Sequence, residues 1–191
     1  MLSTPATPAA MAAAGASHAL VDLTDRPRVG FRGADARAYL EGHGFDVPQN
    51  PNHAVQQADG SVVAALSSTE YLILGGAQDG GARIALQENN WALSTRANYL
   101  LPRQDSHAWL MLAGPRVPDV MAKVCGVDLR PRHFAVGSVA QTSVARVNAI
   151  VIHAQKNTES VFHVLFDRCS LAYFREALVD ALQEFGGHLN G

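Results

Sequence analysis

A strand, a glycine and a helix follow one another in the same order twice along this chain, and that repeat constrains the fold to two similar halves. Arg28 to Phe31 reads as a short strand ending at Gly33, and Ala34 to Glu41 as a helix closed by Gly42. Roughly 80 residues later the unit returns. Ala108 to Leu112 is apolar and strand-like, Gly114 follows, and Pro115 stands where the first turn of a helix tolerates a missing N–H. Val117, Val120, Met121 and Val124 then recur at helical spacing before Gly126. Each unit leads into an apolar-Asp-apolar element, Phe45-Asp46-Val47 in one and Val127-Asp128-Leu129 in the other.

What comes after each unit also corresponds. Ser61 to Leu66 and Tyr71 to Leu74 flank the polar turn Ser67-Ser68-Thr69, as the arms of a hairpin do. In the second half, Ala149 to His153 and Ser160 to Phe166 flank Gln155 to Glu159, which has turn composition. Both hairpins lead to a helix. The second is plain: Leu171, Phe174, Leu178, Ala181, Leu182 and Phe185 form one stripe, and Gly186-Gly187 stops it. Its first-half counterpart runs from about Arg83 to Trp91 with a weaker pattern. Strand, helix, hairpin and helix, twice over, predict the α+β class: two related lobes of antiparallel sheet with helices on one face of each. The expected boundaries are an Ala/Pro-rich disordered tail over residues 1–19, a first lobe over 20–104 and a second over 105–191.

Composition narrows the function classes. Fifteen Lys+Arg against seventeen Asp+Glu give a net charge of −2, too little basic excess for a general phosphate-backbone binder, so nucleic acid is not the expected partner. A charged fraction of 17% is slightly low for a free surface and fits one partly covered by another chain. No run approaches the roughly 18 apolar residues of a membrane span, and no Lys or Arg precedes Arg26 to make a signal-peptide head. With two cysteines and an ample core, a reducing compartment and a cytoplasmic location are expected.

Each catalytic or metal-binding spacing in the chain has a plainer structural explanation. Gly75 to Gly81 is the most glycine-rich stretch, but it lacks a GxGxxG pattern and a P-loop lysine, which favours a flexible loop over a phosphate cradle. The eight histidines form no HxH, HxxxH or HExxH pattern, and the pair His153 and His163 reads as a solvated cross-strand pair rather than two metal ligands. Cys125 reads as core. Cys169 follows Arg168, yet reads as a small buried residue at a helix start. No catalytic, cofactor-binding or metal-binding residue is assigned. Charge order carries more: Leu129 to Thr158 contains no carboxylate, while Arg130, Arg132, Arg146 and Lys156 fall inside it. A solvated basic face and a docking surface for an acidic partner or anionic ligand fit this stretch equally, and Arg130, Arg132 and Arg146 are the candidate interface residues.

The run Cys125-Gly126-Val127-Asp128-Leu129-Arg130-Pro131-Arg132-His133-Phe134, continuing to Thr142, resembles the gamma-subunit family of heterotetrameric sarcosine oxidases. Phe166-Asp167-Arg168-Cys169-Ser170 leading to Tyr173-Phe174 is similar to that family's last strand-to-helix junction, and Leu66 to Leu74 to its first hairpin. Asp22-Leu23 to Arg28 through Gly33 is similar as well, so the resemblance covers about residues 20 to 186. It implies kinship with the aminomethyltransferase T-protein of glycine cleavage and hence a folate-binding-type fold. It also implies assembly with alpha, beta and delta subunits, which would carry FAD, FMN, NAD and tetrahydrofolate, and a mainly structural role for this chain, which is expected to bind no cofactor itself. An acidic folate contact of the T-protein relatives is matched here to Ala145-Arg146-Val147-Asn148, which holds no carboxylate. The KGCYxGQE-type motif of related iron-cluster repair proteins is absent. Two alternatives stay open: a folate-dependent aminomethyl or methyl transferase acting alone, and a stand-alone scaffold.

Overall fold

The computed structural model describes residues 19–76, 78–156 and 159–190; the expected tail up to residue 18 lies outside the described residues, as do Ala77 of the glycine-rich stretch and Asn157-Thr158 of the second turn. Among the described residues, eleven strands form two sheets. The smaller contains β2 (Arg28–Arg32), β3 (His53–Gln56), β4 (Val62–Ala65), β5 (Glu70–Leu74) and β6 (Tyr99–Pro102), in the order β3-β4-β5-β2-β6. The larger contains β1 (Ala19–Asp22), β7 (His107–Ala113), β8 (Val139–Val144), β9 (Val147–Lys156), β10 (Glu159–Asp167) and β11 (His188–Asn190), in the order β11-β1-β7-β10-β9-β8. Helices α1 (Ala36–Gly42) and α2 (Ala82–Asn90) belong to the first half, and α3 (Val117–Ala122) and α4 (Leu171–Gln183) to the second.

The sheets lie back to back. Val29, Phe31, Val63 and Ile73 of the smaller sheet pack on Ala36 and Leu40 of α1 and Ile84 of α2. Its opposite face, Val62, Ala64, Leu72 and Leu74, meets Trp109, Val139, Ile152 and Leu165 of the larger sheet. The larger sheet's outer face then packs Leu110, Leu112, Phe162 and Phe166 under α3 and α4. Four layers result, helix, sheet, sheet and helix. Both faces of the central strands are therefore covered, which is why β4 and β5 read as continuous apolar runs instead of alternating ones.

The repeat is present in three dimensions. Gly33 and Gly114 hold φ of +140° and +128°, a region that disfavours every residue with a side chain, and each turns its strand into a helix. A Cβ on Gly33 would stand 1.9 Å from the Ala97 carbonyl oxygen. The order β3-β4-β5-β2-β6 also recurs as β8-β9-β10-β7-β11, with one change: β1 is inserted between β7 and β11. It pairs antiparallel with β7 and parallel with β11. Thus Ala19–Asp22, which takes in the last residue of the expected tail and the first three of the expected first lobe, lies in the sheet of the second half, where it pairs with β7 and β11.

Two segments carry the chain between the sheets, 23–27 and 103–106, and Arg28 fastens them together. Its guanidinium, 1% exposed, donates from Nη1 to the carbonyls of Thr24 and Arg26, both at 2.8 Å, and from Nη2 to those of Gln104, at 2.9 Å, and His107. Burial, and next the nearby Arg168, pull its pKa below the ordinary arginine value. Arg168 adds a bond to the Gln104 carbonyl at 2.8 Å. No helix among the described residues is long and apolar enough to cross a membrane. Replacing Arg28 with Met leaves four carbonyls without their donor and should lower unfolding stability by about 3 kcal/mol or more. Arg28→Lys should recover little of it, since an ammonium has no planar fork to span both crossovers. Urea denaturation of both variants measures the effect.

Candidate functional site

The inner face of the larger sheet is covered by the smaller sheet only over its middle. Hollows remain at both ends of the apolar plug formed by Trp109, Val139, Ile152 and Leu165. One is a cleft of about 400 Å³ with Met111, Val161, Trp109 and His163 at its floor. Gly75 and Gln78 of the glycine-rich loop stand at its rim with Gln56, Gln155 and Arg26. Trp109 Nε1 donates to His163 Nδ1 at 3.0 Å, which makes Nδ1 the unprotonated ring nitrogen. An apolar floor with amides and one guanidinium around it can enclose a flat, polar-edged molecule bearing an anionic group.

His153 and His163 are not a solvated cross-strand pair. The β9–β10 register sets His153 opposite Phe162 and Ile152 opposite His163, so the two imidazoles lie on opposite faces of the sheet. Both are buried. On the outer face, His153 stacks on Phe162 with ring centroids 4.4 Å apart, and its nitrogens meet the Phe134 carbonyl at 2.7 Å and Ser160 Oγ at 2.6 Å. No group of three or more His, Cys, Asp or Glu suited to a metal ion occurs among the described residues. Cys125 is buried; Cys169, read as buried from the sequence, is exposed, because the turn Arg168–Ser170 stands clear of the core.

The second hollow, about 550 Å³, lies at the opposite end, where β8 and β9 turn. Ser106, His107, Gln141, Ser143, Asn148 and Asp167 line it. Burial foremost, then Arg103 and Arg28, hold the His107 pKa below its ordinary value, against Asp167 and Glu70. Ser106 Oγ lies 2.8 Å from His107 Nδ1. Gln141 Nε2 bridges the sheets, donating to Asn52 Oδ1 at 2.9 Å and to the Leu66 carbonyl at 2.6 Å.

All three predicted interface residues, Arg130, Arg132 and Arg146, are exposed, but their surroundings differ. Arg130 Nε donates to Asp128 Oδ1 at 2.7 Å; Arg130 foremost holds the Asp128 carboxyl well below the usual carboxylate range, and the pair nearly cancels in charge. Arg132 and Arg146 have no ion pair among the described residues. Arg146 sits at the two-residue turn between β8 and β9, and Lys156 is the last residue of β9, so that ten-residue strand sets the two backbone positions roughly 30 Å apart. The basic segment is therefore spread over several surfaces. At the turn, Ala145 and Arg146 hold φ of +47° and +66°, left-handed values for which Asn-Gly is the usual choice. Tyr173 Oη donates to the Ala145 carbonyl at 2.9 Å and leaves half its side chain exposed above it.

No family model matches the chain. Two curated relatives do. It is 27% identical over 148 residues to the sarcosine oxidase subunit gamma of Corynebacterium sp. (strain P-1), covering 78% of this chain and 70% of that one. With the sarcosine oxidase subunit gamma of an Arthrobacter species it shares 26% identity over 144 residues, 74% of this chain and 66% of the relative. Both relatives are sarcosine oxidase gamma subunits. A solved chain of the heterotetrameric sarcosine oxidase from Corynebacterium sp. U-96 has the same fold, with a TM-score of 0.73 and 22% identity over 98% of this chain and 99% of that one. The glycine cleavage aminomethyltransferase T of Bartonella henselae shares it too, at a TM-score of 0.65 and 14% identity. There the chain spans 92% of its own length but only 48% of the aminomethyltransferase. The gamma-subunit and aminomethyltransferase likeness expected from the sequence is thus borne out, together with the α+β fold.

Two predictions follow from the polar end of the sheet. A histidine whose folded pKa lies below its unfolded value of 6.5 binds its proton more readily when unfolded. Its contribution to stability is whole above that value and is lost as pH falls through the lowered folded pKa. Urea midpoints measured from about pH 7 to about pH 5 should decline less for His107→Gln than for the unaltered chain. Arg146→Gly, which relieves a left-handed φ, should stabilise the fold by about 1 kcal/mol, read from the same titration.

Proposed function

We propose that this chain is a non-catalytic gamma-type subunit of a heterotetrameric sarcosine oxidase, a complex that oxidatively demethylates sarcosine or a related N-methyl amine. The supporting observation is the concurrence of both curated relatives, each a sarcosine oxidase gamma subunit, with a structural match that covers 98% of this chain and 99% of a sarcosine oxidase chain. Alpha, beta and delta subunits are its partners on this reading, and FAD, FMN, NAD and tetrahydrofolate belong to them. The cytoplasm is the proposed location. What this chain contributes is a rigid platform: four packed layers locked by Arg28, presenting exposed cations to its neighbours. Arg132 and Arg146 are the proposed contact residues, and Arg130 contributes less because Asp128 answers its charge.

Purification from the native host through a tag on this chain tests the reading. Companion subunits with a visible flavin spectrum and sarcosine oxidation are expected; a chain recovered alone and colourless would overturn it. In the same assay, Arg132→Glu with Arg146→Glu should weaken assembly and reduce its salt sensitivity, while Arg130→Glu has the smaller effect.

The cleft of about 400 Å³ beside the glycine-rich loop favours one second reading, a folate-dependent aminomethyltransferase-like protein acting alone. Saturable binding of tetrahydrofolate to the isolated chain is its expected result, and a flat titration would remove it.

A further inference from the structure

Sheet edges expose rows of unpaired N–H and C=O groups, and proteins guard them with charge, proline, bulges or brevity. Three of the four edges here are guarded. β6 has four residues and ends in Pro102, and β11 has three. β3 is occupied from outside, since Ala54 donates to the Gly137 carbonyl at 2.7 Å. The fourth edge is β8, six residues reading Val-Ala-Gln-Thr-Ser-Val, with neither charge nor proline.

The pairing of β8 shows which of its backbone groups face out. His153 N–H donates to the Ser138 carbonyl, and a two-residue turn joins the partners Val144 and Val147. Residues 138, 140, 142 and 144 therefore bond to β9, and 139, 141 and 143 point away from it. Val139 N–H is taken by the Asn52 carbonyl at 2.9 Å. At the other end, the bridge between Cys125 and Val144, with Ala145 N–H on the Val124 carbonyl at 2.8 Å, closes the edge again. Between these stops, the N–H groups of Gln141 and Ser143 find no partner among the described residues. A strand laid here sends alternate side chains over the mouth of the 550 Å³ hollow, which Gln141, Thr142, Ser143 and Asn148 line. Its end passes Arg146, a cation without a described carboxylate partner, held outward at a left-handed φ that glycine would adopt more cheaply.

We propose that the open window of β8, from Ala140 to Ser143, receives an extended segment of a partner subunit as an added strand, with polar side chains entering the hollow and a carboxylate meeting Arg146. The inference rests on the assembly reading above and assigns it a surface. Main-chain bonds supply the pairing, the hollow selects side chains, and Arg146 selects the sign of charge. The occupant is a partner chain with a carboxylate at the end that passes Arg146, because that exposed guanidinium at the β8–β9 turn has no ion pair among the described residues.

Amide hydrogen exchange on the full chain, alone and in the purified complex, tests it. Assembly should slow the Gln141 and Ser143 amides at least about tenfold, with Ala140 and Thr142 already slow in the free chain. Gln141→Pro removes an outward N–H without touching the β8–β9 ladder and should weaken assembly about tenfold or more, whereas Gln141→Ala, which keeps the N–H, should assemble. Arg146→Gly should fold at least as stably and assemble less tightly at low salt, which separates docking from folding even where the proline variant fails to fold. A complex in which both amides exchange as in the free chain, or in which Arg146→Gly assembles normally, would sink the surface but leave the subunit reading standing. If the unaltered chain enters no complex, both readings fall together.

Discussion

A guanidinium sealed from water without a hydrogen-bonded carboxylate must find its acceptors among carbonyl dipoles, and the carbonyls that surround Arg28 belong to the two segments that carry the chain between sheets. Thr24 and Arg26 lie on the way from β1 to β2, and Gln104 on the way from β6 to β7. A single side chain thus fixes the angle at which both crossovers leave their sheets. The other connections between them build on that register: Trp109 N–H on Thr24 Oγ1 at 3.2 Å, Leu23 N–H on the Trp109 carbonyl at 2.8 Å and Arg168 on Gln104. With the crossovers set, the smaller sheet's inner face falls on Trp109, Val139, Ile152 and Leu165, and the hollows at either end of that plug take their shape.

Much of this architecture is legible in the sequence where burial is two-sided or helical. The runs at Val62 to Ala65 and Leu72 to Leu74, the stripe on α4 and the paired glycines Gly33 and Gly114 all announce themselves, because full burial or a forbidden φ leaves few residue choices. The edges do not. β8 is half polar, β3 begins with a histidine and β6 ends in proline, so neither apolar run nor alternation marks them. Arg28 is the least legible residue of all. Following Pro27 at the mouth of a strand, it has the look of a solvated surface cation, and only the convergence of two distant segments buries it.

The surface residues show a different limit. Counting charge along the chain groups Arg130, Arg132, Arg146 and Lys156, but folding regroups them: Asp128, just outside the stretch, claims Arg130, and the length of β9 parts Arg146 from Lys156. His153 and His163 fail in the same way. Ten residues apart on two arms of a hairpin, they are one register step from facing each other, and that step sends one ring into the outer core and the other between the sheets.

The inserted strand β1 bears on how the molecule is made. The smaller sheet draws all five strands from residues 28 to 102 and can pair as soon as that stretch is synthesised. β1 precedes it in the chain, yet its two neighbours are β7 and the last strand, β11. On the ribosome its register therefore goes unfilled while the first half folds behind it, and the larger sheet closes only once β7 and β11 have followed. One short segment of four residues thereby ties chain that precedes the first half to strands that follow it, and two halves that look like independent repeats mature as a single unit.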